Sequence, residues 1–564
     1  MVYLDIGFSI SCRQTKEVSI FLCFPLGYGA MTLLSKVAHY VEITHGMSEY
    51  VGTKLPSSCC EGIRQQLENR ENIWLDILRK TIFSQPDHPY ARMFQLAGCN
   101  YQELVSAVKT NGLEATLSDL HRQGVYLTHD EFKGKTSIVR SGQHISSGPR
   151  SFANPFVSGW LEGNSGGSRS AGTKTCTGTS HLMYLTRYAA LNVREFGLDR
   201  RIYVVVRPTL PSIAGLLFCL LYTRVGCKVH PWFAFGGMVA NSTHYRLLTN
   251  YIGAVARWHG VSFPFPRHLP ANDFSAVAAW IAMKRRHGVL CTLQAVASTG
   301  VRVASAALEK GWDISGTLFM SGGEALTDAK RQVIESAGIQ VFPAYWTSEI
   351  GQIGHSCRQM NTGNCVHLFR DSVAVITHRR RARFSENEVN SLLFTTLLPQ
   401  APNIFINVEM EDAGVIDNVQ CDCVYSAMGF TQQIRDIVSF GKLTGNGMTL
   451  FGTDIVRILE QALPARFGGS PADYQLVEQE GQEQTEIVLR VSPRVGQSVT
   501  QNIRDYFLLQ LRKCQGGALA SRVWDYSDAL QVVIDEPLMT TAGKVLPLHL
   551  LKSRRTQTKV LTTS

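Results

Sequence analysis

Thr317-Leu318-Phe319-Met320-Ser321-Gly322-Gly323-Glu324-Ala325-Leu326 runs on through Thr327 to Ala337, Gly338 and Ile339-Gln340-Val341-Phe342, and this stretch decides the architecture. Its first apolar run is short and bounded by glycines, which reads as a strand. Thr327 to Ala337 has helical spacing, opens on threonine and stops at Gly338, the marks of a capped helix. A second short apolar run follows at once. Strand, helix and strand joined this tightly predict two parallel strands with a helix laid over them.

The same alternation extends upstream. Ile202-Tyr203-Val204-Val205-Val206 is a β-rich run ended by Pro208, and Ser212 to Thr223 is an apolar helix stopped by Gly226. Lys228 to Trp232 reads as a strand, Asp273 to His287 as a helix, and Val289 to Leu293 as a strand. Ser298 to Lys310 is a further helix, closed by Gly311. The pattern predicts an α/β large domain of parallel-rich sheets covered by helices. Ligands of such sheets sit at the carboxyl ends of strands, here the loops after Met320 and Phe342. From about Gly441 the texture changes. A helix near Asp454 to Leu463, a strand Glu486 to Val491, a helix Val499 to Leu511 and a strand Ala529 to Ile534 form a compact α+β unit. Helical spacing dominates from Glu71 to Val125, whereas the first 75 residues show no sustained period. The expected division is an uncertain N-terminal extension (1–75), a large domain (76–440) and a C-terminal lid domain (441–564).

At 564 residues the chain is too long for one core, and 45% hydrophobic with 18% charged residues describes a packed globule. A formal net charge of +10 suits anionic ligands. The densest basic run, His378-Arg379-Arg380-Arg381-Ala382-Arg383, lacks interleaved aromatics and reads as a solvated loop, so nucleic acid is not an expected partner. No stretch reaches the roughly 18–20 apolar residues that span a bilayer, and no basic cluster precedes an apolar segment at the N-terminus. No membrane partner and a cytoplasmic location are the expectations. Fourteen scattered cysteines, several inside apolar runs, read as reduced core thiols. Cys59-Cys60 and Cys421-Asp422-Cys423 could each be half of a metal site, but no second thiol or histidine pair stands at matching spacing, which argues against zinc.

Three loops and one lysine carry the candidate chemistry. Gly167 to Thr175 (GSRSAGTKT) is rich in glycine and hydroxyls; its backbone could approach phosphate oxygens, or it could simply be flexible. It is not a P-loop, because no Gly-Lys-Ser/Thr triplet closes it. Gly322 and Gly323 would let a flat ligand lie on bare backbone, or merely turn the chain from strand to helix. Glu349, beside Thr347 and Ser348, is suited to Mg²⁺, although surface glutamates are common. Lys544, in Thr540-Thr541-Ala542-Gly543-Lys544-Val545-Leu546-Pro547, stands just past a glycine at the close of the terminal unit.

In this order the motifs resemble those of the adenylate-forming superfamily of acyl-CoA synthetases, adenylation domains and luciferases, with the phenylacetate-CoA ligase and acyl-protein synthetase branch as the nearest likeness. GSRSAGTKT is similar to the family's phosphate loop, agreeing at Ser168, Ser170, Gly172 and Thr175 and departing at Arg169, Ala171 and Lys174. SGGEAL, with Gly322, Gly323 and Glu324, resembles the adenine-contacting turn. Tyr345-Trp346-Thr347-Ser348-Glu349 resembles the Y-G-x-T-E motif, with Tyr345 and Ser348 beside the nucleotide and Glu349 inheriting the Mg²⁺ role. Pro402 to Asp412 resembles the segment whose aspartate holds the ribose, which implies Asp412; the usual Thr-Gly before it reads Met410-Glu411. Cys421-Asp422-Cys423 falls where that branch often carries Cys-x-Cys. TTAGKVLP resembles T-x-x-G-K and implies Lys544 as the catalytic lysine. The resemblance implies ATP and Mg²⁺, a carboxylic acid substrate, an acyl-adenylate with loss of pyrophosphate, and transfer to coenzyme A or an acyl or peptidyl carrier protein after the lid turns. The departures keep open a degenerate homologue that binds nucleotide or a partner without turnover. Trp232, Phe233 and Phe235 could line an acyl pocket or be plain core.

Overall fold

The computed structural model describes residues 28–55, 59–148, 150–164, 174–235, 242–270, 273–360, 363–381, 388–439, 442–445, 448–480, 485–496, 500–514, 517–526 and 530–551. Its centre is a sheet of 12 strands. One half, in spatial order Gln340–Thr347, Leu318–Gly322, Cys291–Ala295, Ile202–Val206, Lys228–Ala234 and Pro266–His268, is parallel throughout. The strand-helix-strand reading of Thr317 to Phe342 is met, with the helix at Asp328–Ser336 and Thr327 capping it. The central strands of this half are buried on both faces by helices such as Ala214–Arg224, Ser275–Arg286 and Ala297–Glu309, which explains their unbroken apolar runs.

The other half is antiparallel. From the Gln340–Thr347 strand the sheet continues through Gly351–His355, Val366–Leu368, Gln432–Ser439, Val408–Asn418 and Glu388–Thr396 to Val373–Arg381. Residues 378–381 of the basic run expected in a loop instead form the outer end of that edge strand, with Arg379 paired to Glu388 and Arg380 to Glu409, and 382–383 lie outside the described residues. Charge on an edge strand blocks pairing with another chain, so the run keeps its exposure without being a loop. Residues 28–75, without period in the sequence, contribute the helix Tyr28–Gly52 and most of Cys59–Thr81. Tyr50 and Met47 are fully buried, and the Tyr50 hydroxyl hydrogen-bonds Thr186 at 2.8 Å.

The C-terminal unit has its own four-stranded sheet, ordered Leu530–Ile534, Thr485–Val491, Tyr474–Glu480, Leu548–Leu551. Helices Thr500–Arg512 and Gly517–Tyr526 cover it, and Ile455, Leu459, Leu476, Ile487, Phe507 and Trp524 fill its core. Among the described residues no helix is long and apolar enough to cross a membrane.

Candidate active site

Lys544 reaches the sheet on a short hairpin between the Leu530–Ile534 and Leu548–Leu551 strands. Met539 bridges Val545, and the turn closes through Gly543 N to Thr540 O (2.8 Å) and Thr540 N to Lys544 O (2.9 Å). Gly543 has φ +77°, and a Cβ there would lie 2.6 Å from the Phe235 ring and 3.0 Å from Pro208. Both the backbone conformation and the close approach therefore demand glycine. Gln475, fully buried, holds the two legs of the hairpin. Its amide donates to Leu538 O at 3.0 Å and Leu546 O at 2.8 Å, and its oxygen accepts from Leu538 N at 2.7 Å.

The hairpin docks where the parallel strands end. Val545 N donates to Ser298 Oγ at 3.3 Å, and the Lys544 side chain comes up against Gly323, itself at φ +84°. Burial lowers the Lys544 pKa, while Glu324, Glu349 and Asp412 pull it back up and Arg207 adds to the lowering. Among the described residues no side chain hydrogen-bonds or ion-pairs with its ammonium. Arg207 is buried beside it, spanning two strand ends by donating to Ala295 O (3.0 Å) and Gly322 O (2.8 Å). Desolvation brings its pKa down to about 10.

Other predicted residues converge on the same place. The Tyr345 hydroxyl donates to Asp412 Oδ2 at 2.5 Å. Burial pushes the Asp412 carboxyl up to about 6, against the lowering effect of Tyr345 and Ser439. Glu411, at φ +59°, occupies the left-handed region inside a bulge of the strand that carries Asp412, where that strand pairs with Glu388–Thr396. A bulge of this kind re-aims the neighbouring side chain. Glycine is the usual residue in the resembling motif here, and the backbone retains the conformation that glycine favours.

Two predicted roles meet a different environment. Glu324 does not face the cleft as a free acid: Oε2 accepts from Ser298 N (3.1 Å) and Oγ (2.7 Å), and Oε1 from Lys330 Nζ (2.9 Å). It anchors the turn that carries Gly322 and Gly323. The Glu349 carboxylate accepts from Lys133 Nζ at 2.9 Å in a buried pair. An Mg²⁺ ion held by Glu349, the role expected of it, would have to share or displace that ammonium. Ser348 is exposed at the hairpin turn between two strands. Thr175 lies on the strand Lys174–Thr177, paired opposite Gly163, while Ser168, Ser170 and Gly172 lie outside the described residues. Trp232 is fully buried and donates to Arg207 O, so it is core; Phe235 packs against the Lys544 hairpin.

Sequence reading missed Arg207, Lys133, Lys330, Glu460 and Gln475. Arg207 follows a β-rich run directly and could have been found from its strand-end position. The others are brought in by tertiary packing and leave no local mark.

Neither a family model nor a curated protein matches the chain. Among solved structures, it is similar to a 2-hydroxyisobutyryl-CoA ligase in the postadenylation state with a bound adenylate, at 13% identity and TM-score 0.52, covering 88% of this chain and 92% of that one. The same ligase in the thioesterification state with coenzyme A scores 0.45 at 13% identity over 88% and 93% of the two chains. An o-succinylbenzoate-CoA synthetase from Bacillus subtilis with its acyl-adenylate scores 0.36 at 13% identity over 68% and 67%. A large mixed sheet under helices, a small C-terminal unit and the match over nine-tenths of that first ligase together give this chain the adenylate-forming ligase fold.

Proposed function

We propose that this protein activates a carboxylic acid with ATP, releasing pyrophosphate, and passes the acyl group to a thiol on coenzyme A or a carrier protein. The observation that carries the reading is the delivery of Lys544, on a glycine-dependent hairpin, to a strand-end cleft that also holds Arg207, Tyr345 and Asp412. A carboxylate oxygen would attack the α-phosphorus while the bond from that phosphorus to the pyrophosphate oxygen breaks. Lys544 would bridge the entering carboxylate and the α-phosphate, offsetting charge that grows as the bond forms. Among the described residues no carboxylate contacts that ammonium, which suits it to the task. Asp412 would accept the ribose hydroxyls, and the Gly322-Gly323 backbone would face the adenine. Thr175, with Ser168, Ser170 and Gly172, would hold the outer phosphates. Mg²⁺ enters only as the partner of the nucleotide substrate. The branch nearest phenylacetate-CoA ligases is proposed on the strength of the Cys-x-Cys at Cys421 and Cys423. The test is exchange of labelled pyrophosphate into ATP, dependent on an added carboxylic acid from a broad panel. Exchange that survives unchanged in Lys544→Ala would refute the lysine's role.

One observation favours a second reading, a nucleotide- or partner-binding homologue without turnover: Lys133 occupies the acid that the catalytic family reserves for its metal. Calorimetric ATP binding with no exchange from any acid of the panel would establish it.

A further inference from the structure

Cys357, His367, Cys421 and Cys423 come from three separate segments, yet their donor atoms all lie within 4.8 Å of one another. We propose that they form a structural zinc site. The Cys421 Sγ to Cys423 Sγ distance is 3.2 Å, Cys357 Sγ to Cys421 Sγ 3.9 Å, and His367 Nε2 lies 3.3 Å from both Cys421 Sγ and Cys423 Sγ. A tetrahedral ion with Zn–S of about 2.3 Å and Zn–N of about 2.0 Å needs ligand–ligand edges of roughly 3.5–3.8 Å. The observed edges bracket that range, so small shifts would complete the tetrahedron. Three thiols and an imidazole are the donor set of structural zinc, and four protein ligands leave no open position for chemistry. An iron–sulfur cluster would spread its thiolates wider than one tetrahedral edge.

The surroundings are built for an ion. His367 is fully buried and its Nδ1 is 2.8 Å from Phe430 O; donation there fixes the tautomer that turns the Nε2 lone pair toward the sulfurs. Ser426 N donates to Cys423 Sγ at 3.3 Å, the kind of contact that steadies a thiolate. The loops themselves are fastened together. Glu195 accepts from Arg358 N and Val424 N, both at 3.0 Å, and Gln359 exchanges two hydrogen bonds with the Asp422 backbone. The expectation against zinc rested on local spacing, whereas the donors that would complete the set, Cys357 and His367, are 64 and 54 residues from Cys421 and come to it through antiparallel pairing. Cys60 instead takes a contact from Arg194.

The site lies at the far ends of the strands whose other ends carry the cleft. The Gly351–His355 strand runs from the Glu349 turn to Cys357, and Val408–Asn418 runs from the Asp412 region toward Cys421. The proposed ion would thus pin the antiparallel half of the sheet at its rear, and nothing in the proposal depends on the acyl-activating reading.

Elemental analysis of the full chain, purified without added metal, should find about one zinc per chain, released by a mercurial thiol reagent. Cys421→Ser and Cys423→Ser should lose it, while Cys99→Ser keeps it. Because the serine variants could misfold, the wild-type chain is also reloaded with Co²⁺, which should show intense visible bands of tetrahedral thiolate coordination. A folded chain without stoichiometric metal and without Co²⁺ bands, iron in place of zinc, or a Cys421–Cys423 disulfide in peptide mass spectra would each overturn the site.

Discussion

Lys330 and Lys544 both feel Glu324, and their pKa values move in opposite directions. Burial pulls each one down. At Lys330 that pull is overcome by Glu324 at 2.9 Å and Glu460 at 3.0 Å, and its pKa rises. At Lys544 the acids act only from a distance, so burial prevails. The first lysine has all the charge it needs within the fold; the second has not. A charge left uncompensated among the described residues is one that a ligand can complete, and this sets the proposed catalytic lysine apart from the structural one better than exposure does.

The largest effect expected from attacking this contrast is on stability. Lys330→Met strands two buried carboxylates and should cost about 3–5 kcal/mol, read by chemical denaturation. Lys544→Ala should instead leave the denaturation curve in place and reduce acid-dependent pyrophosphate exchange by about 10²–10³-fold. If the two variants exchanged phenotypes, the contrast would collapse. Gly543→Ala sharpens it from the hairpin side: the added methyl meets Phe235 and the turn resists φ +77°, so exchange should fall by about 10-fold while the isolated fold loses only about 1–2 kcal/mol.

The parallel half of the sheet was legible because each strand is a continuous apolar run followed by a capped helix. The antiparallel half was not. Its strands mix buried and exposed positions, as in Val373–Arg381, and its pairing joins residues far apart, such as Ile416 with Ile434 across a long connection. The site followed the same line. Lys544, Tyr345 and Asp412 were found through motifs, and they do meet. Lys133 against Glu349 and Glu460 against Lys330 are contacts between distant segments with no local pattern to announce them.

Two smaller effects test the acids. Asp412 is raised to about 6. For a carboxyl shifted upward, the folded state is favoured by protonation, so this contribution to stability is present below about pH 4 and is lost as pH rises through about 6. The proposed ribose role needs the other form: nucleotide affinity should weaken as pH falls below about 6, and Asp412→Asn should abolish that dependence in calorimetry. Glu411→Gly relieves the left-handed backbone but loosens the unfolded chain, so stability should change by no more than about 1 kcal/mol, in the favourable direction. A loss larger than that would mean the Glu411 carboxylate matters more than its backbone.

The Gln475 strap makes the lysine hairpin a stiff finger. Its tip stands three to four residues beyond the strapped carbonyls of Leu538 and Leu546, a lever of roughly 10–13 Å. A swivel of the C-terminal sheet by roughly 30° about the strap would sweep the ammonium by about 6 Å on that lever length, with no change inside the finger. Under the proposed adenylation and thioester formation, gearing of this kind would let a modest rotation withdraw the charge between the two steps.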